Sequence, residues 1–384
     1  MRKKIYLDYA ATTPIDPRAL KAMLPFLKEK FGNTMSLHSF GQEAKEALEE
    51  SREIIADFIG AKPNEIIFTS SATESNNLAL KGIAFANKER GNHIIISSIE
   101  HPCVMESAKW LESQGFEITR LKVDKYGLIE PRDVKKAIKK GTILVSVMHA
   151  NNEIGTIEPI EEIGRICKKR GVYFHTDAAQ TFGKIPIDVK RLNVNLLTAS
   201  SHKIYGPKGA AILYIKEGTK ISPLLHGGGH EMGLRSSTVN VAAIVGFAQA
   251  TKIAKKEMKR EGKRLRKLKE KLIKGILKIK GSHFVGHPEK SLPNIANFWF
   301  EGIEGESIVI ELDLMGICAS TGSACSSEKL EPSHVLLACG LKPWQAHGSL
   351  RLSLGRWTKE EDIDYLLKIL PGIVEKLRKI SPIK

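Results

Sequence analysis

Thr142-Ile-Leu-Val-Ser-Val147, Ile160-Glu-Glu-Ile-Gly-Arg-Ile-Cys-Lys-Lys-Arg170 and Val172-Tyr-Phe-His175 follow one another along the chain. The outer two are short runs rich in β-branched and aromatic residues, and the middle one has helical patterning. A buried strand, a helix and a second buried strand in that order make a unit with parallel strands. The alternation continues outward. Glu65-Ile-Ile-Phe-Thr69 and His93-Ile-Ile-Ile-Ser97 precede the unit, with a helix pattern over 74–87 between them; Leu196-Leu-Thr198 and Ala211-Ile-Leu-Tyr-Ile215 follow it. Such a chain forms an α/β domain with a largely parallel sheet covered on both faces. Beyond a long helical stretch at 252–280 the texture changes. Phe284-Val285, Ile295-Ala-Asn-Phe-Trp-Phe300 and Leu350-Arg-Leu-Ser-Leu354 read as strands of a smaller α+β domain closed by a helix near 359–378. The boundary falls within the 252–280 helix, and the extreme N-terminus is free to pack with either part.

Composition supports two domains. A chain of 384 residues with 42% apolar and 27% charged residues is too long for one core and too apolar for disorder. No apolar run approaches the ~18 residues of a membrane span. Asp8 follows only three residues after Ile5, so no signal peptide is expected. Cysteines at 103, 167, 318, 325 and 339 form no CxxC pair, which argues against a disulfide scaffold or zinc ribbon and for a reducing, cytoplasmic setting. The net charge is +16, and residues 252–280 supply most of it with 14 Lys/Arg against three Glu. Apolar Ala254, Met258, Leu265, Leu268, Leu272 and Ile276 form one stripe there, so the charge reads as the solvated face of an amphipathic helix. A docking face for an acidic partner is the alternative; specific nucleic-acid binding is not expected.

In open α/β sheets ligands bind beyond the carboxyl ends of the strands. Ser70-Ser-Ala-Thr-Glu-Ser-Asn76 opens a helix with small hydroxyl residues, which serve as an N-cap or as a phosphate cradle. Glu100-His101, the Asn151-Asn152 pair and Asp177 follow other strands. Lys203 stands between a strand end and the Gly206-Pro207 turn, where desolvation frees an amine to act as nucleophile. Gly227-Gly-Gly-His230 and Arg235-Ser-Ser-Thr238 offer a close turn or a second phosphate contact. Cys325 sits in a loop of small polar residues, Ser320 to Ser327, which predicts an exposed nucleophile; the other four cysteines have apolar neighbours and read as core or incidental. Arg351, on an otherwise apolar strand, suits a buried carboxylate. Together these residues point to a phosphate-bearing carbonyl cofactor and an amino-acid substrate.

Tyr6-Leu-Asp-Tyr-Ala-Ala-Thr-Thr-Pro14, Ser71-Ala-Thr-Glu-Ser-Asn-Asn77, Glu100-His101, Asn151-Asn-Glu-Ile-Gly155, Asp177-Ala-Ala-Gln180, Ser201-His-Lys-Ile-Tyr-Gly-Pro-Lys-Gly209, Gly227-Gly-Gly-His-Glu231, Gly322-Ser-Ala-Cys325 and Arg351-Leu-Ser-Leu-Gly-Arg356 occur in this order. As a set they resemble the NifS/IscS-type cysteine desulfurases of the class V aminotransferase family, over residues 5 to about 366. The resemblance implies a fold-type I pyridoxal 5'-phosphate enzyme and a homodimer. It implies a large domain over 15–258 with a mostly parallel seven-stranded sheet, and a small domain joining 1–14 to 259–384. Lys203 matches the lysine that bonds the cofactor, Asp177 the acid on the pyridine nitrogen, His101 the stacked ring and Gln180 the donor to the phenolic oxygen. Ala72, Thr73, Ser200 and His202 match phosphate contacts, with Thr238 supplied by the other subunit; Asn152 is expected at the cofactor as well. Asn33, Asn152 and Arg351 match substrate contacts, although Gly32-Asn-Thr-Met-Ser36 departs from the family's usual Gly-Asn-Pro-Ser-Ser. Cys325 matches the nucleophile. It would take sulfur from L-cysteine, leave L-alanine, and pass the persulfide to an acceptor in iron–sulfur cluster assembly or tRNA thiolation. No metal site is implied, unless Cys325 ligates a transferred cluster. Rival readings are a selenocysteine lyase or other lyase or aminotransferase on the same cofactor, and a non-catalytic sulfur-relay partner.

Overall fold

The computed structural model describes residues 4–322 and 331–381, so Cys325 lies outside the described residues. Twelve strands stand among the described residues: β1 (Ile5–Tyr6), β2 (Ile66–Thr69), β3 (His93–Ser97), β4 (Glu117–Leu121), β5 (Thr142–Ser146), β6 (Tyr173–Asp177), β7 (Leu196–Ser200), β8 (Ala211–Ile215), β9 (Ser282–Val285), β10 (Ile295–Phe300), β11 (Ile317–Cys318) and β12 (Ser349–Ser353). Seven form the central sheet in the order β2-β8-β7-β6-β5-β3-β4. Neighbours from β7 to β4 run parallel, and β8 runs antiparallel to both β7 and β2. Alternate residues of one strand feed two cores: Val145, Phe174, Leu197 and Ile212 on one face, Leu144, Ile94, Leu196 and Leu213 on the other. That double burial is why these strands are continuous apolar runs.

Two details differ from the sequence reading. β4 gave no signal, because Glu117-Ile-Thr-Arg-Leu121 is an edge strand whose Glu117 and Arg120 face solvent. β6 and β7 each extend two residues further than their apolar runs, ending at Asp177 and Ser200. Asp177 is therefore the last residue of its strand, held in register with Thr198, rather than the start of a loop.

The smaller sheet is β12-β10-β9, antiparallel throughout. The N-terminus joins this part: β1 pairs in parallel with β11, Asp8 bridges to Ser353, and Leu7 is buried with Phe298, Leu350 and Ile363. One helix, Val241–Ile276, serves both cores. Its Ala243, Ile244, Phe247 and Ala250 pack on the large sheet, and Leu265, Leu268, Leu272 and Ile276 on the small one. Its basic side chains mostly face solvent or surface acids, as in Lys255–Asp57 and Lys271–Glu360. Lys269 is the exception. It is buried, donates to Ser291 Oγ at 2.9 Å and to Leu292 O at 2.8 Å, and burial pushes its amine down to about 7.

A buried ion pair anchors the glycine-rich segment 227–229. Arg52, in the Ser39–Ile59 helix, donates from Nη1 and Nη2 to Glu231 at 2.8 and 2.9 Å, and Phe68 N donates to the same carboxylate at 2.7 Å. Glu231 and Met232 both lie in the left-handed region, φ +50 and +57, a conformation that needs outside support. Arg52→Met leaves that carboxylate buried and short of its counter-charge. Such losses cost about 3–5 kcal/mol, and urea denaturation of the variant should show a midpoint lowered accordingly; a shift under about 1 kcal/mol would mean the pair is not needed.

Candidate active site

The carboxyl ends of the parallel strands open onto a cavity of about 320 Å³. Ala72, Thr73, His101, Asn152, Asp177, Gln180, His202, Lys203 and Arg351, all expected from sequence, line it. Each arrives by a simple route. Ala72 and Thr73 open the Ala72–Ala86 helix, whose N-cap Ser71 accepts from Glu74 N at 3.1 Å. The first N–H groups of such a helix have no intrahelical acceptor and carry the positive end of the dipole. His101 caps the Pro102–Ser113 helix just after β3. Lys203 ends a short 3₁₀ turn after β7.

A polar chain, buried at the acid and part-buried at the histidine, links the two. Asp177 Oδ2 accepts from Asn76 Nδ2 at 2.7 Å, and its Oδ1 from Ala179 N at 2.9 Å. The same Asn76 amide reaches Cys103 Sγ at 3.1 Å. Cys103 Sγ lies 3.0 Å from His101 Nδ1, and Cys103 N donates to that nitrogen at 3.2 Å. Because a backbone N–H is only a donor, Nδ1 is the acceptor and the ring proton sits on Nε2. Burial and the Lys203 charge hold His101 below the usual imidazole range. Burial pushes the Cys103 thiol up to about 12, so it keeps its proton.

The N-terminal segment closes the opposite wall. Lys203 Nζ donates to Ala10 O at 2.7 Å and Ala11 O at 2.8 Å. Gln180 Nε2 shares Ala10 O at 2.9 Å, while its Oε1 accepts from Lys184 Nζ at 3.0 Å. The Gln180 amide therefore has one orientation, with a second Nε2 hydrogen left over. His202 Nδ1 is hydrogen-bonded to Thr12 Oγ1 at 3.1 Å, and burial, with nearby lysines, pushes its imidazole down to about 4. It is neutral at neutral pH. Arg351, 3% exposed, donates from Nη1 to Asn152 O at 3.1 Å and from Nη2 to Asp8 Oδ1 at 2.9 Å.

Three expected residues do not line the cavity. Ser200 is buried, at the end of β7. Thr238 is exposed. Asn33 is exposed as well, and its Oδ1 turns back to accept from Met35 N at 2.9 Å. Conversely, Cys103 is not incidental: it lines the cavity. Asn76, Asp8 and the carbonyls of Ala10 and Ala11 also hold site residues, which no residue type signals. A backbone carbonyl has no signature in sequence, and the Lys203–Ala10 contact spans 193 positions.

A family model described as aminotransferase class-V matches residues 5–366. The cysteine desulfurase IscS of Methanosarcina thermophila is 53% identical over 381 residues, covering 99% of this chain and 94% of that protein. A solved NifS-like protein superimposes with a TM-score of 0.92 at 41% identity, covering 97% of this chain and 100% of its own. A solved SspA in complex with cysteine gives 0.82 at 39%, with 91% and 98% covered. With these likenesses over the length of the chain, and the motif residues gathered around one cavity, the chain belongs to the aminotransferase class-V family, in its IscS-type cysteine desulfurase branch.

Proposed function

We propose that this chain is a pyridoxal 5'-phosphate-dependent cysteine desulfurase: it removes sulfur from L-cysteine, leaves L-alanine, and carries the sulfur as a persulfide on Cys325. The observation that carries the reading is the convergence of Lys203, Asp177, His101 and Arg351 on one cavity. The donor set suits the cofactor. The N–H groups of Ala72 and Thr73 and the neutral His202 suit a phosphate, Asp177 a protonated pyridine nitrogen, the His101 ring a stacked face, and Lys203 an aldehyde.

When bound, pyridoxal phosphate draws electron density away from the α-carbon of an attached amino acid. The chain's own residues do the rest. Asn76 and Ala179 fix the Asp177 carboxylate, which would hold a proton on the pyridine nitrogen of a bound cofactor. Lys203 Nζ takes the substrate's α-proton and returns one later. Arg351 takes the substrate carboxylate and orients the sulfur. The Cys325 thiolate then attacks that sulfur: an S–S bond forms, the carbon–sulfur bond breaks, and its electron pair stays with the carbon that becomes alanine's methyl group. Gly322 and His334, on either side of the segment that holds Cys325, both line the cavity.

Three further readings belong with this one. Residues 15–258 form the cofactor-binding domain and 1–14 with 259–384 the smaller one, a division supported by the change of core along the Val241–Ile276 helix. The enzyme is a homodimer. Exposed Leu27, Phe31, Met35, Leu37 and Phe40 suit a partner surface, and Thr238 and Asn33, exposed and not lining their own cavity, suit a neighbour's. It works in the cytoplasm and passes sulfur to an iron–sulfur scaffold protein or a tRNA-thiolating enzyme; among the described residues no helix is long and apolar enough to cross a membrane.

The test is the visible spectrum of the purified protein before and after L-cysteine, with alanine assayed in the same tube. A yellow protein whose band shifts and which forms alanine one-for-one with released sulfur is expected. A protein that stays colourless and inert after pyridoxal phosphate is added would leave the fold without the chemistry.

A further inference from the structure

We infer that Asp8 is a resident counter-ion that sets how tightly Arg351 holds a substrate or product carboxylate. This rests on the reading of Arg351 as the carboxylate contact. The pairing is built into the backbone. Asp8 bridges to Ser353; Tyr9 N donates to Ser353 O at 3.3 Å, Ser353 N to Leu7 O at 2.8 Å, and Ala10 N to Ser353 Oγ at 2.8 Å. Arg351 N donates to Ser320 O at 2.7 Å on the other side of β12. The two side chains are thus brought together by ladder register, and they meet at 2.9 Å, with 4% and 19% of their side-chain surfaces exposed.

A guanidinium has five N–H groups. Here one reaches Asp8 and one Asn152 O, and Nε is buried with no partner among the described residues. Arg351 lines the cavity, and one hydrogen on each Nη remains for a second carboxylate. That carboxylate, however, meets an arginine whose charge Asp8 already balances, and the two anions repel across one cation. Glu153, the other acid among the described residues that faces Arg351, is engaged elsewhere: Ser333 Oγ donates to its Oε2 at 2.5 Å, and burial pushes it up to about 7. Asp8 is therefore the group that weakens capture. Weak capture serves turnover, because L-alanine leaves with the same carboxylate that L-cysteine brought in.

The test uses the cofactor-loaded enzyme. Asp8→Asn keeps a hydrogen-bond acceptor for Nη2 and removes the charge; Asp8→Ser removes the charge with less bulk and stands in if the first does not fold. The dissociation constant of L-alanine is read from the cofactor's absorbance, the KM and kcat from turnover of L-cysteine, and cysteamine serves as an amine and thiol without a carboxylate. Loss of the charge should tighten L-alanine and lower the KM for L-cysteine about tenfold each, with kcat changing less than KM and cysteamine binding within about twofold. Unchanged or weaker L-alanine binding, or equal tightening of cysteamine, would overturn the inference. Arg351→Gln separates it from its premise. If that variant binds L-alanine as well as the parent does, the reading of Arg351 falls, whatever Asp8 does.

Discussion

Lys203→Ala lowers kcat for L-cysteine desulfuration by at least about ten-thousand-fold and removes the visible band of the lysine-bound cofactor in the same step. Both losses come from one atom. Among the described residues Lys203 is the one lysine that lines the cavity, its Nζ held by the carbonyls of Ala10 and Ala11 at 2.7 and 2.8 Å. The nearest comparable group, Lys184, is directed onto Gln180 Oε1 and is not among the residues lining this cavity. No other described lysine lines the cavity to take over. The variant should still bind pyridoxal phosphate through Ala72, Thr73 and His202, but reversibly, so gel filtration should strip it. A small primary amine added with the substrate should restore part of the rate, which a merely misfolded variant would not allow. Turnover within about tenfold of the parent enzyme would remove Lys203 from the mechanism.

The parts of this molecule that were legible in its sequence are those buried on both sides. His93–Ser97 and Ala211–Ile215 are fully buried strands, and their bounds could be read directly from the apolar run. Glu117–Leu121 could not, since an edge strand needs only one apolar side. Site residues followed a similar rule. Lys203, Asp177 and Arg351 are charges in apolar surroundings, and each conflict between residue and setting marks a function. Cys103 shows the opposite case. Val104 beside it suggests core, yet the first turn of its helix faces the cavity while Val104 is turned inward. Ala10 and Asp8 act through a chain contact spanning 193 positions and an ion pair spanning 343, which no local pattern reports.

Cys325→Ser should leave the cofactor band and the binding of L-cysteine intact, while persulfide formation and sulfur release fall by at least about a thousandfold, because a hydroxyl does not replace a thiolate as nucleophile towards sulfur. The other four cysteines make this a sharp test. Cys167 and Cys339 are buried, and burial pushes both thiols up to about 12. Cys318 lies 3.6 Å from Asp313 Oδ1, and burial, with that carboxylate, raises its thiol as well. Cys103 is the one described thiol in the cavity, but at about 12 its thiolate fraction at pH 7 is only about one in 10⁵, and Asn76 and His101 already engage its sulfur. Cys103 is kept protonated, so sulfur should settle on Cys325 alone. Mass mapping of the parent enzyme after one turnover should find the extra sulfur on the peptide with Cys325 and none on that with Cys103. Persulfide retained in Cys325→Ser and mapped to Cys103 would reverse that assignment and make Cys103, not Cys325, the sulfur carrier.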